Sequence, residues 1–179
     1  MNRTRLDAES IHDAVLQMTG LLDLTMGGPS VKQFVESPGI HVTPDVNYQK
    51  FDLDSPAARR RSVYRFVFRT LPDPFMETMD CADASQLTPT RSSSVTALQA
   101  LSMLNNRFIV CYSEHLAERI ERDVPDPDAP TRAGRLYELA MNRAPTAEES
   151  KALSQYIEKH GLPNACRVIL NSNEFMFVN

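Results

Sequence analysis

The chain has 179 residues, 42% hydrophobic, 23% charged and 7% aromatic, and 19 lysines and arginines against 23 aspartates and glutamates leave a net charge of −4. A chain of this size buries roughly 70% of the surface it exposes when unfolded, so a sizeable core is available, and the interspersed charges of both signs argue against a basic nucleic-acid arm or an acidic tail. The longest apolar run, residues 108 to 112, has five residues against the roughly 20 that a membrane span needs, and the basic start runs into Asp7 and Glu9 without the apolar stretch of a signal peptide.

Asp7 followed by Ala8, Ile11, Ala14, Val15 and Met18 combines an N-cap with an i, i+3, i+4, i+7 apolar stripe, which predicts an amphipathic helix over 8–19 closed by Gly20. Glu9, His12 and Asp13 read as its exposed face. Gly27-Gly28-Pro29 is a turn, because the glycines permit positive φ and the proline fixes the next one. Residues 37 to 60 carry Pro38, Pro44 and Pro56 with little period, so we expect a long loop with short strand pieces near 40–43 and 48–51. In residues 61 to 70, Tyr64, Phe66 and Phe68 alternate with Arg61, Val63, Arg65, Val67 and Arg69. A helical stripe of Tyr64, Val67, Phe68 and Leu71 also fits, but aromatic and β-branched enrichment favours a strand. Leu71-Pro72-Asp73-Pro74 ends it, and 75–79 make one helical turn.

From residue 93 onward the pattern is helical. Thr96 and Gln99 form a capping box that opens a helix to about Asn105, with Leu98, Leu101 and Leu104 inward. Phe108, Cys111, Tyr112, His115, Leu116 and Ile120 trace the next apolar face, ending near Asp123. A third helix follows over about 131–142, a fourth opens on a Thr146/Glu149 capping box and closes at Gly161, and a last covers about 163–172. Short connections between amphipathic helices imply antiparallel neighbours in a bundle. The expected fold is therefore mainly α, an antiparallel helical bundle with a minor β element near residues 61–70. Residues 1–92 hold the first helix, the Gly-Gly-Pro turn, the loop and that β element, and residues 93–179 hold the bundle.

Cys81, Cys111 and Cys166 are too few and too scattered for a disulfide framework or a zinc site. Cys111 and Cys166 fall on apolar helix faces as small buried hydrophobes, with a bond between them as the alternative, and Cys81 sits in an acidic loop that makes it a poor nucleophile. The four histidines fit no metal-binding spacing, and no phosphate loop, nucleophile elbow or EF-hand loop occurs. Asp123, Asp126 and Asp128 flank two prolines and suit an extended linker better than calcium. The residues thus predict no cofactor and no metal.

Of the 19 basic residues 15 are arginine, five of them at Arg59, Arg60, Arg61, Arg65 and Arg69. Guanidinium forks at this density suit a carboxylate, sulfate or phosphate ligand; the competing reading is a solvated face paired to Glu77, Asp80 and Asp83. Arg61, Tyr64, Arg65 and Arg69 are the candidate ligand-binding residues, bordering a cleft closed by the Gly27-Gly28 turn, and Arg65→Ala is expected to weaken binding without changing the melting temperature. Glu77, Asp80 and Asp83 are the candidate catalytic acids of the alternative, a hydrolase of acidic or sulfated polysaccharide, which needs two carboxylates about 5 to 9 Å apart.

Several strings occur in order: Arg5-Leu-Asp-Ala-Glu9 with Ile11-His-Asp-Ala14, Gly27-Gly-Pro29, Arg61-Ser-Val-Tyr64, Leu71-Pro-Asp-Pro74, Leu98-Gln-Ala-Leu101, Asn142-Arg-Ala-Pro-Thr-Ala-Glu-Glu149 and Leu170-Asn-Ser-Asn-Glu-Phe175. Together they resemble the planctomycete-specific domain 1 family, a domain of unknown function at the C-terminal end of large proteins that often carry a c-type cytochrome domain. The resemblance implies an exported, extracytoplasmic multidomain parent linked to glycan use, with this chain as the C-terminal part of a larger family domain. It implies the parent's other domains as partners; the arginine stripe adds an anionic glycan, and the charge and apolar runs predict no nucleic acid and no membrane span in this chain. The CxxCH haem motif is absent, so no haem is expected. No catalytic residues carry over, and the implied role is a non-catalytic binding or assembly module; a structural spacer is the further alternative.

Overall fold

The Asp7 carboxylate accepts from the Ser10 N–H and Gly20 takes up φ 75°, so helix α1 spans Ala8–Thr19, as its stripe predicts. A computed structural model describes residues 4–39, 44–82, 96–125 and 128–178. Among these the fold is mainly α: eight α-helices and two two-stranded sheets. Asp73 caps α2 (Pro74–Thr78) by accepting from two backbone N–H groups. The Thr96/Gln99 capping box opens α3 (Ala97–Asn105), and Asn106 ends that helix and caps α4 (Arg107–Asp123) with its side chain. Asp128 caps α5 (Ala129–Met141), the Thr146/Glu149 box opens α6 (Ala147–His160), and α7 (Leu162–Leu170) is followed by a short α8 (Asn173–Met176) that periodicity does not separate from it.

Helix α4 is the hub. Its buried Ile109, Tyr112, Leu116 and Ile120 face a core shared with Ile11 and Leu16 of α1, Leu136 of α5 and Leu170 of α7, and α5, α6 and α7 pack on one another. The small sheets sit outside this core. Strand β1 (Thr4–Arg5) pairs antiparallel with β4 (Phe177–Val178), and β2 (Val35–Ser37) with β3 (Asp45–Asn47). The strand pieces expected in the proline-rich loop therefore resolve differently: residues 40–43 lie outside the described residues, and pairing falls on 45–47 rather than 48–51.

Two expectations shift in detail. Residues 61 to 70 form no continuous strand: Ser62–Tyr64 is a 3₁₀ turn, and β-type pairing is limited to isolated parallel bridges from Asp23 to Arg60 and from Val31 to Arg65. In α3, Leu98 and Leu101 point outward while Gln99 and Met103 are buried. The Gln99 side chain is drawn in by two hydrogen bonds, accepting from the Thr96 N–H and donating to Asp80, and that sets the rotation of the helix.

A charge clasp joins the end of α5 to α6 and α8. The Arg143 guanidinium donates to both Glu149 oxygens at 2.8 Å and to both Glu174 oxygens at 2.6 and 2.7 Å, and lies over the Tyr137 ring. The Arg143 hydrogen bonds, with the Thr146 N–H, hold the Glu149 carboxyl down at about 2. A carboxyl whose folded pKa is depressed stabilises above its ordinary value and loses that contribution as pH falls through the folded one. The melting temperature is expected to drop between about pH 4.5 and about pH 2, and Glu149→Gln to flatten that slope in a thermal-melt series; an unchanged slope contradicts the clasp.

Candidate functional site

The 61–69 segment is shaped by partners far away in sequence. Asp13, on α1, accepts from the Ser62 N–H at 2.6 Å and from Arg61 Nε at 3.4 Å, which fixes the start of the 3₁₀ turn against the helix. The Val31 N–H donates to the Tyr64 carbonyl and the Phe66 N–H to the Val31 carbonyl, both at 2.8 Å, so the chain runs extended past Val31. Beyond it, Phe66 and Phe68 pack edge-on to Phe34, which also meets Tyr48.

Between this segment, α1 and α2 lies a groove of about 980 Å³. Arg61, Arg65 and Arg69 line it together with the aromatic faces of Phe66 and Phe68 and the carboxylates of Glu9, Asp13, Asp73 and Glu77. The three arginines are not equivalent. Arg65 is 11% exposed and donates at 2.8 Å to Asp73, the residue that caps α2. Arg61 is 46% exposed and leans on Asp13. Arg69 is exposed and has no ion-pair partner among the described residues.

Tyr64, Gly27 and Gly28 are brought together elsewhere. The Gly27 N–H donates to the Tyr64 hydroxyl at 2.7 Å, Arg60 donates to the Gly27 carbonyl at 2.7 Å, and the Arg60 guanidinium lies 4.3 Å over the Tyr64 ring. Gly27 and Gly28 adopt φ 79° and 84°, where a side chain is strained, and nothing lies within 4 Å of the Cβ either lacks. Gly27 thus braces Tyr64 and Arg60, and neither glycine stands among the groove's lining residues.

The candidate acids divide in the same way. Glu77 is exposed on the groove. Asp80, at φ 59°, accepts from Arg5 and from Gln99 at 2.7 Å each and so ties the N-terminal strand to α3. Asp83 lies outside the described residues, as does Asp126; Asp123 pairs with Arg119 and Arg135, and Asp128 caps α5.

The exposed face expected for Glu9, His12 and Asp13 is corrected by the structure, where none of the three is fully exposed. His12 is buried, stacked on Phe108 at 4.7 Å, with Nδ1 3.2 Å from Asp13 Oδ1. Burial lowers its pKa despite the opposing pull of Asp13. Burial also pushes the Asp13 carboxyl up, but the hydrogen bonds from His12, the Ser62 N–H and Arg61 outweigh it and hold Asp13 below the ordinary aspartate range. Asp13 is thus an ionised wall of the groove at neutral pH. The available signal was the one-turn spacing of Glu9 and Asp13, which places both on one side of α1.

Among the described residues Cys81, Cys111 and Cys166 form no disulfide. Cys81 lines the groove with Sγ 3.6 Å from Glu9, Cys166 is buried and its thiol is pushed up to about 12 by burial, and burial pushes Cys111 up to about 11. No helix among the described residues is long and apolar enough to cross a membrane.

A family model described as PSD1, protein of unknown function (DUF1553), matches residues 1–157. No curated protein and no solved structure matches the chain.

Proposed function

Since the chain belongs to the PSD1 family of proteins of unknown function (DUF1553), we propose a role from the groove itself: a non-catalytic binding module for an anionic sugar, uronate or sulfate-bearing, held by Arg61 and Arg69. The observation that carries this reading is Arg69, an exposed guanidinium without an ion-pair partner among the described residues, on a groove walled by Phe66 and Phe68. A guanidinium fork matches carboxylate or sulfate oxygens, and aromatic faces cover the apolar side of a ring. Glu9, Asp13 and Glu77 on the same groove balance the arginines, which favours a ligand with one or two charges over a polyphosphate backbone. In this reading the module acts outside the cytoplasm beside other domains of an exported parent.

Arg69→Ala is expected to weaken binding of a sulfated or uronate-containing oligosaccharide about tenfold to a hundredfold, the worth of a charged hydrogen-bonded pair. Its melting temperature should stay close to wild type, as for other exposed substitutions. Calorimetry on a panel of acidic oligosaccharides reads this directly. No binding across the panel, or binding indifferent to Arg69→Ala, refutes the proposal. Turnover of a panel member that Glu77→Gln abolishes would make the groove a hydrolase site instead.

A further inference from the structure

On α4, at positions that do not line the arginine groove, Cys111 and His115 stand one helical turn apart, the spacing that puts two side chains on one side of a helix. The turn carrying Asp54 is drawn up to them by bonds from several directions. The Tyr112 hydroxyl donates to the Leu53 carbonyl at 2.8 Å, Arg107 donates to the Phe51 carbonyl, and Arg59 donates to the Asp54 carbonyl at 3.3 Å. The ligating atoms of Asp54, Cys111 and His115 thereby lie within 4.8 Å of one another. We infer that Asp54, Cys111 and His115 form a transition-metal site of the zinc class, with Glu118 orienting the imidazole from behind.

His115 has both ring nitrogens placed for this. Nε2 lies 2.7 Å from Asp54 Oδ1, and Nδ1 lies 3.2 Å from Glu118 Oε2. A carboxylate accepting from one ring nitrogen while the other meets the metal is the usual support of a metal-bound histidine. Bond lengths of about 2.0–2.1 Å to nitrogen and about 2.3 Å to sulfur put the donors of a tetrahedral ion roughly 3.3–3.7 Å apart. From the 2.7 Å between His115 Nε2 and Asp54 Oδ1, Asp54 retreats by about half an ångström, and from within 4.8 Å the thiol closes by at most about one. Asp54 is 67% exposed on its turn and has room to make that move.

Thiolate, imidazole and one carboxylate select zinc or cobalt over calcium or magnesium, which prefer all-oxygen sets. A surface groove of about 560 Å³ lined by Asp54, Cys111 and Glu114 gives an ion access from solvent and leaves the fourth position to water or to Glu114. On binding, the Cys111 S–H bond breaks, a sulfur–metal bond forms and the proton passes to solvent. The third ligand comes from a distant loop, so no spacing along the chain reveals the set.

Titrating the reduced 179-residue chain with Co²⁺ alone tests this. One equivalent is expected to give a thiolate-to-cobalt charge-transfer band and tetrahedral d–d bands, and Zn²⁺ to displace both. Cys111→Ser should abolish the charge-transfer band, Asp54→Ala and His115→Ala should weaken binding at least about tenfold, and Glu118→Gln about tenfold. Cys81→Ser should leave the spectrum intact. Metal-free Cys111→Ser should keep the wild-type circular dichroism; if it does not fold, Asp54→Ala, on an exposed turn, carries the test. No charge-transfer band in wild type, a band lost in Cys81→Ser, or binding indifferent to both Asp54→Ala and His115→Ala overturns the site. None of these readouts depends on what the arginine groove binds.

Discussion

Tyr112→Ala is expected to cost about 3–5 kcal/mol of folding stability, the range for removing a fully buried aromatic ring. Tyr112 has no exposed surface and lies between Phe108, with ring centroids 4.8 Å apart, and His115 at 5.7 Å, in the middle of α4. Neighbours from several elements meet there, so the space cannot collapse without moving whole helices. For a domain of this size the loss corresponds to a fall in melting temperature of roughly 6–20 °C. Tyr112→Phe separates ring from hydroxyl: it keeps the packing, leaves the Leu53 carbonyl without its 2.8 Å donor, and should cost about 1 kcal/mol. Denaturant unfolding with both variants checks the pair, and an alanine variant within 1 kcal/mol of wild type, on the scale of a single hydrogen bond, rules out the packing described for α4.

The second large effect concerns Arg65. Arg65→Ala removes the partner of Asp73 at a pair that is 11% and 20% exposed. Breaking a buried pair costs about 3–5 kcal/mol, which partial solvent access here reduces to about 2–3 kcal/mol. Asp73→Ala should cost a similar amount, because it also strips the cap from α2. The double variant should cost clearly less than the sum, since each single change already removes the shared interaction. Equilibrium unfolding of the four proteins measures the coupling; additive losses would mean that the two side chains act separately. This replaces the expectation, drawn from alternation alone, that Arg65→Ala spares the fold. Arg69 is the clean probe of the groove, and Arg65 mainly holds its wall in place.

Helices with strong ends were legible. Asp7, Thr96, Thr146 and Gly20 act on their own neighbours, so local sequence contains the whole interaction. The groove was legible in part: Arg61, Arg65 and Arg69 do converge with Glu77. What failed depends on distant partners. The alternation of residues 61 to 70 suggested a strand, but the hold of Asp13 on Ser62 curls the chain into a turn and leaves one backbone neighbour, Val31. The leucines of α3 fit an inward stripe, yet Asp80 draws in Gln99 and rotates them outward. Asp80 itself read as a candidate acid because nothing near it in sequence announces Arg5.

The pairing of β1 with β4 gives the fold a mechanical character. Thr4 lies opposite Val178 in an antiparallel register, so the two ends of the fold emerge side by side. Tension across those ends loads the pair as a zipper, one rung after another, rather than in shear across all rungs at once. The peel meets a stop at Arg5, whose guanidinium is bound to the Met79 carbonyl and Asp80. A pull on the two ends is therefore expected to be absorbed as a few residues of slack at low force, before it reaches α1 and the groove that α1 walls.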